Sequence, residues 1–405
     1  MEDTREPVQL IILGNGFDLN VGLKSSYSHF FAWRYNQKGS IFYEVKQLQS
    51  GFIDNLGETS VTIWDFLFLY KTQQRQQEFK RWVDIEEAIL HSLGNLNNLC
   101  GRTMEYLYFP GVNFDNNIET NTYAGIASIL KIRYEETVTE IIRAIERNAA
   151  KSFTSEKTIV VNSRRGILPQ DYPLSSVSRV LLKELYLFEK AFSEYLEIAI
   201  QDHSDYEKKA EDLLYRLMYI DDKTSIMKTN VLSFNYTEPF RKGRFALLFL
   251  LEYRHVHGSL NNNNIIFGID GHKTDSLQTP GILDFTKTFR TLSIERKLSA
   301  NSTFLGHDIS HIKFFGHSLG DADYSYFQAI FDRADLYGGK TALVFYLHER
   351  WGDESETEYL SRKDRFQKRV TRLLSEYGKT LGNQDHGKNL MHKLILEDRL
   401  YIREI

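Results

Sequence analysis

The hydrophobic and polar positions of this chain fall into three stretches with different periods. The first runs from Val8 to Leu19, VQLIILGNGFDL, where an apolar run of strand length stops abruptly at Gly14-Asn15-Gly16. A run without polar alternation predicts a strand covered on both faces, as in a parallel sheet. Two glycines one residue apart let the backbone turn sharply and approach a ligand closely. The full G-x-G-x-x-G pattern is absent, since Leu19 stands at the third glycine position. The loop therefore reads equally well as a phosphate cradle or as a plain strand-to-helix turn. Asp18 just beyond it suits either a ligand hydroxyl or the cap of a turn. Gly22 and Ser25-Ser26 are turn signals, and a helix carrying Phe30, Phe31 and Trp33 is expected from about Ser26.

From about 37 to 225 the period becomes helical. Trp82, Ile85, Ile89 and Leu93 recur at helical spacing, as do Leu182, Leu185, Phe188, Phe192, Tyr195 and Ala199. The segment from Tyr134 to Ala149 is another amphipathic helix. Gly, Asn and Asp concentrate at 94–101 and 110–123, which predicts loops there. Within Trp82-x-Asp84-x-Glu86 the paired carboxylates invite an acid–base or metal reading. Residues two apart on a helix point to different sides, however, so the acidic turn reads foremost as solvated or capping.

After about 228 the strand pattern returns. Asn230–Phe234 ends at Asn235-Tyr236-Thr237, and Tyr253–His257 ends at Gly258-Ser259. Ile265–Ile269 reads as a further strand. His311–Gly316 ends at His317-Ser318-Leu319-Gly320, and Thr341–Leu347 is the last clear strand. Asp321 is placed to cap a helix bearing Phe327, Ile330, Phe331 and Ala334. Trp351–Tyr377 is charged and helical, and 391–405 contains an apolar element of undetermined type. The expected fold class is α/β, a Rossmann-like parallel sheet formed by 1–36 and 226–405, with 37–225 as a mostly helical insertion. Gly14-Asn15-Gly16, Asn235, His257 and Ser318 each follow a strand. Ligands of open parallel sheets bind beyond the carboxyl ends of the strands, so these residues are expected to converge on one site.

Composition narrows the function classes. The chain has 405 residues, 42% hydrophobic and 26% charged, with 6 prolines. This is globular composition, with 27 Phe and 23 Tyr to fill a core. A net charge of −4 argues against a dedicated nucleic-acid binder. The one cysteine, Cys100, forbids an intramolecular disulfide and suits a reducing compartment. The charged opening Met1–Glu6 does not read as a signal peptide, and no apolar run reaches membrane length. A cytoplasmic location without membrane contact is expected. His307-Asp308-x-x-His311 offers histidines four apart, but no third ligand stands at a telling spacing, so no metal is expected.

The motifs resemble known families. GNGFDLNVGLKSSY (14–27), WVDIE (82–86) and LYLFEKAFSEYL (185–196) are similar to the AbiH family of bacterial abortive-infection proteins acting against phage. FNYT (234–237), HVHGSL (255–260) and FFGHSL (314–319) resemble the sirtuin-like NAD-binding fold. That second resemblance implies NAD as substrate or ligand, with Asn235 and His257 as the catalytic pair. It places Gly14, Asn15 and Gly16 at the phosphates and Gly316 and Ser318 at ribose or phosphate, with Asp18 and Gly258 also at the ligand. Two departures stand out. Thr237 occupies a position where many relatives have Asp, and a single cysteine cannot build the zinc module of deacylating sirtuins. NAD hydrolysis, rather than protein deacylation, is the implied activity. A nucleotide-binding sensor without turnover and a nuclease effector are the alternatives. A phage-derived trigger and a homo-oligomer are the implied partners. A restrained resting state follows from the toxicity of unregulated NAD cleavage, with 37–225 as lid or oligomer interface.

Overall fold

The computed structural model describes residues 8–36, 40–50, 59–75, 82–108, 118–152, 174–219, 226–238, 248–271, 279–294, 304–305 and 309–405. The chain divides into two compact units. One comprises 1–25, 196–265 and 294–405; the other comprises 26–195 and 266–293.

The first unit is built on a six-stranded, all-parallel sheet. Its strands are β1 (Val8–Leu13), β2 (Lys228–Ser233), β3 (Leu250–His255), β4 (Ile309–Phe315), β5 (Ala342–Leu347) and β6 (Leu400–Glu404). The spatial order is β3-β2-β1-β4-β5-β6. This 3-2-1-4-5-6 order is that of doubly wound nucleotide-binding sheets, in which the direction of winding reverses beside β1. The unbroken apolar run of β1 has a direct cause. Leu10 and Ile12 pack on one face with Phe314, Phe345 and Phe331, while Ile11 and Leu13 pack on the other with Phe17, Tyr206 and Leu214. Helices α12 (Tyr324–Arg333), α13 (Glu356–Thr380) and α14 (Gln384–Leu396) cover the first face, and α1 (Gly16–Asn20) and α10 (Tyr206–Met218) the second.

The second unit contains α2 (Tyr27–Arg34), α3 (Ser40–Ser50), α4 (Ile63–Arg75), α5 (Trp82–Gly94), α6 (Leu96–Tyr108), α7 (Ile118–Arg133), α8 (Glu135–Ser152), most of α9 (Leu174–Gln201) and the short α11 (Lys287–Leu292). Aromatic rings fill it: Phe30 meets Phe188 and Phe192 edge-on, and Phe267 meets Tyr27 and Phe192. Buried ion pairs tie its helices together. Arg34 grips Asp65 with two nitrogens, Arg133 grips Glu184, and Arg290 grips Glu189.

Five sequence expectations are corrected. The run at 94–101 is helical from Leu96 onward, with Leu96, Leu99 and Cys100 buried and Asn97 and Asn98 turned to solvent. Composition misled there because the asparagines occupy one exposed face. Residues 118–123 likewise open α7, and 110–117 lie outside the described residues. Ile265–Ile269 is not a ladder strand and makes only a single bridge, Ile269 to Thr286. Its backbone is satisfied by side chains instead: the Phe267 N–H donates to Glu189 Oε1 at 2.6 Å, and the Phe267 carbonyl accepts from Arg290 at 2.6 Å. Glu86 is not solvated, because it is 1% exposed and paired with Lys287.

Asp321 makes no side-chain cap. It opens the short 3-10 turn Asp321–Asp323 and pairs with Arg372 of α13 at 2.7 Å. The unassigned C-terminal stretch resolves into α14 and the edge strand β6.

Candidate functional site

The glycines after β1 are required by the chain itself. A Cβ on Gly14 would lie 2.5 Å from Cα of His317, and one on Gly16 would lie 2.7 Å from Cα of Gly316. Gly316, at φ 71°, returns the fit: a Cβ there would meet the Phe17 nitrogen at 2.2 Å. Hydrogen bonds fasten the contact. The Gly14 N–H donates to the Phe315 carbonyl at 3.0 Å, that of Gly16 to the Gly316 carbonyl at 2.8 Å, and that of Phe17 to the Gly14 carbonyl at 2.8 Å. The ends of β1 and β4 are thus clasped backbone to backbone where the sheet reverses its winding. Asn15 is exposed beside the clasp, and its Oδ1 accepts from Ser25 at 2.6 Å. Ser318 is exposed on the following turn.

Asp18 sits beneath this surface, 1% exposed. Its two oxygens accept from Tyr206 and Thr237, each at 2.7 Å. Burial pushes its pKa up to about 6 against the opposing effect of these hydrogen bonds. Thr237, four residues past β2, therefore has a partner on α1, just after β1. Gly258, at φ 82°, admits no side chain either, since a Cβ would lie 1.9 Å from the Asn264 carbonyl oxygen.

Asn235 follows β2 and is 5% exposed. Its main-chain carbonyl faces Nδ1 of His255 at 2.8 Å. Its side-chain Oδ1 is buried without a hydrogen-bond partner. Such an atom carries a desolvation cost of about 1–3 kcal/mol, and it marks a place where a ligand group or water can bind.

His257, beyond β3, is 4% exposed. Its Nε2 lies 3.3 Å from Oδ1 of Asp323. His317, beyond β4, places its own Nε2 3.3 Å from Oδ2 of the same carboxylate. One aspartate at the start of α12 is therefore held between two histidines from different strand ends. Phe234 packs against both rings, with centroids 5.7 Å from His257 and 4.6 Å from His317. The main-chain N–H of Leu319 donates to Nδ1 of His317 at 3.0 Å.

Sequence reading singled out Asn235 and His257, and both lie at strand ends on the carboxyl edge. It missed Asp323 and His317 as partners of His257. The available signal was G-H-S-L-G-D-A-D, in which both histidine and acid follow a strand; the capping preference drew attention to Asp321 instead of Asp323. Of the histidine pair weighed for a metal, His307 lies outside the described residues together with Asp308. Among the described residues no three His, Cys, Asp or Glu side chains are grouped as a metal centre requires. No described helix is long and apolar enough to cross a membrane.

An all-parallel, doubly wound sheet with helices on both faces, and with polar side chains from four neighbouring strand ends on its carboxyl edge, defines an α/β protein. A family model described as bacteriophage abortive infection AbiH matches residues 10–346. The chain belongs to this family, which implies a role in abortive infection by phage. Neither a curated protein nor a solved structure matches the chain.

Proposed function

We propose that the chain is an abortive-infection effector that hydrolyses NAD to nicotinamide and ADP-ribose. The observation that carries this reading is the buried, unpartnered Oδ1 of Asn235 on the carboxyl edge of the sheet. The 3-2-1-4-5-6 strand order and the sirtuin-like FNYT, HVHGSL and FFGHSL segments support NAD as the ligand.

The chemistry asks little of the protein. As the nicotinamide–ribose bond breaks, its electron pair leaves with nicotinamide and the ribose becomes oxocarbenium-like. Water then bonds to the anomeric carbon and gives up a proton. Asn235 Oδ1 would accept a hydrogen bond from that water and fix its approach. His257 would take the proton, directly or through a ribose hydroxyl. Asn15 and Ser318, exposed on the loops after β1 and β4, would face the phosphates. Gly14, Gly16, Gly258 and Gly316 would act by letting these loops pack closely, and Asp18 by fastening α1 to Thr237.

The test is nicotinamide release from NAD by the purified full chain beside Asn235→Ala, with and without lysate of phage-infected cells. Release that depends on Asn235 supports the hydrolase. NAD binding without release in either condition would replace it with a nucleotide sensor. Absence of both would return the nuclease reading, to be checked by chelator-sensitive cleavage of nucleic acid.

A further inference from the structure

We propose that Asp323 and His317 are positioning residues that make His257 the proton acceptor of the candidate site. The proposal rests on the reading of His257 as a general base, but its decisive measurement needs no turnover.

An ionised carboxylate only accepts hydrogen bonds. Nε2 of His257, hydrogen-bonded to Oδ1 of Asp323 at 3.3 Å, therefore carries hydrogen, and Nε2 of His317 lies 3.3 Å from Oδ2. The two histidines differ at their other nitrogen. Nδ1 of His317 accepts the Leu319 N–H, so a second proton on that ring would set two N–H groups against each other. That hydrogen bond fixes the ring and leaves its Nε2 toward Asp323. The backbone is bent to achieve this, since Leu319 is buried at φ 54°, in the left-handed region that leucine rarely adopts. His317, so fixed, lies against one oxygen of Asp323 and limits the turning of the carboxylate. The other oxygen then fixes the His257 ring through Nε2–H.

With Nε2 protonated, the lone pair of the neutral His257 ring lies on Nδ1. A proton taken from water there produces an imidazolium that Asp323 stabilises from the opposite side. Asp323 touches His257, with His317 across that carboxylate. The rings of Phe234 and Tyr326 flank it with centroids at 5.7 Å. His255, two residues earlier, is turned to the Asn235 carbonyl and to Glu238, 3.8 Å from its Nε2.

The experiment is a pH titration by NMR of the full chain carrying isotope-labelled histidine rings, with signals assigned through His257→Gln and His317→Gln. The His257 ring should show a titration midpoint between about pH 5 and pH 8. In Asp323→Asn, which keeps the side-chain shape, the His257 midpoint should fall by about one pH unit. The acid limb of kcat/KM for nicotinamide release should move down with it, and the plateau should fall by about tenfold or more. His317→Gln, whose amide can occupy the place beside Asp323, should stay within about threefold of the parent, and His317→Ala should not. A His257 midpoint that ignores Asp323→Asn overturns the proposal. A shifted midpoint in a chain that never cleaves NAD would refute the hydrolase and leave the histidine–aspartate arrangement standing.

Discussion

Nδ1 of His255 lies 2.8 Å from the main-chain oxygen of Asn235, which joins the ends of β3 and β2 just where the side-chain Oδ1 of Asn235 has no hydrogen-bond partner. The backbone is thus held while the side-chain acceptor is left unsatisfied. Removing that acceptor should cost little. Asn235→Ala is expected to stay within about 1 kcal/mol of the parent in urea unfolding, because relief of the buried oxygen offsets lost packing. The same variant should lose nicotinamide release. A large loss of stability would mean that Asn235 is a structural residue.

Asp18 gives a pH dependence of known sign. Its folded pKa, about 6, lies above the unfolded value of 3.8. Its contribution to stability is therefore complete below about pH 4 and is lost as pH rises through 6, by on the order of 3 kcal/mol. Asp18→Asn cannot titrate. Denaturant unfolding of both proteins between about pH 4 and pH 7 should show the parent falling relative to the variant as pH rises. Parallel curves would show that Asp18 titrates alike folded and unfolded.

The glycine clasp should be intolerant of a methyl group. Gly316→Ala meets the Phe17 backbone and a strained φ together, and a loss of about 2–4 kcal/mol or failure to fold is expected. Gly352→Ala, where a Cβ would meet nothing within 4 Å, serves as the neutral control. Thermal melts of the two distinguish a required glycine from a replaceable one.

In the helical unit, Glu189→Ala leaves the Arg290 guanidinium buried without its carboxylate and the Phe267 N–H without its acceptor. A loss of about 3–5 kcal/mol is expected. Glu189→Met combined with Arg290→Met should lose less than the two single changes added together, because no charge is stranded. Additive losses in chemical denaturation would count against a coupled pair.

The parallel strands were legible because apolar runs and terminal turn residues coincide in them; β1, β2, β4 and β5 lie within a few residues of expectation. Helices with one apolar face, such as α5 and α9, were legible for the same reason. What escaped was set by distant partners. The extended run at 265–269 looks like a strand until Glu189 and Arg290 are seen to occupy its backbone groups. Edge strand β6, only half-buried, lacks the apolar run that betrays the central strands. In the site, single residues following strands could be picked out, yet the sharing of Asp323 by His257 and His317 depends on the lateral order of β3 and β4, which no local pattern encodes.

The central position of β1 also has a kinetic consequence. Val8 pairs with Lys228 on one side and with Ile309 on the other, so both neighbours of the first strand emerge from the ribosome long after it. At about 5–20 residues per second, the strand waits roughly 10–40 s for its first partner. During that interval an apolar, β-prone hexapeptide has both edges open, the condition that favours pairing with other chains. Chaperone occupancy of nascent β1, and a yield sensitive to temperature and expression rate, are the expected consequences of where the sequence places its middle strand.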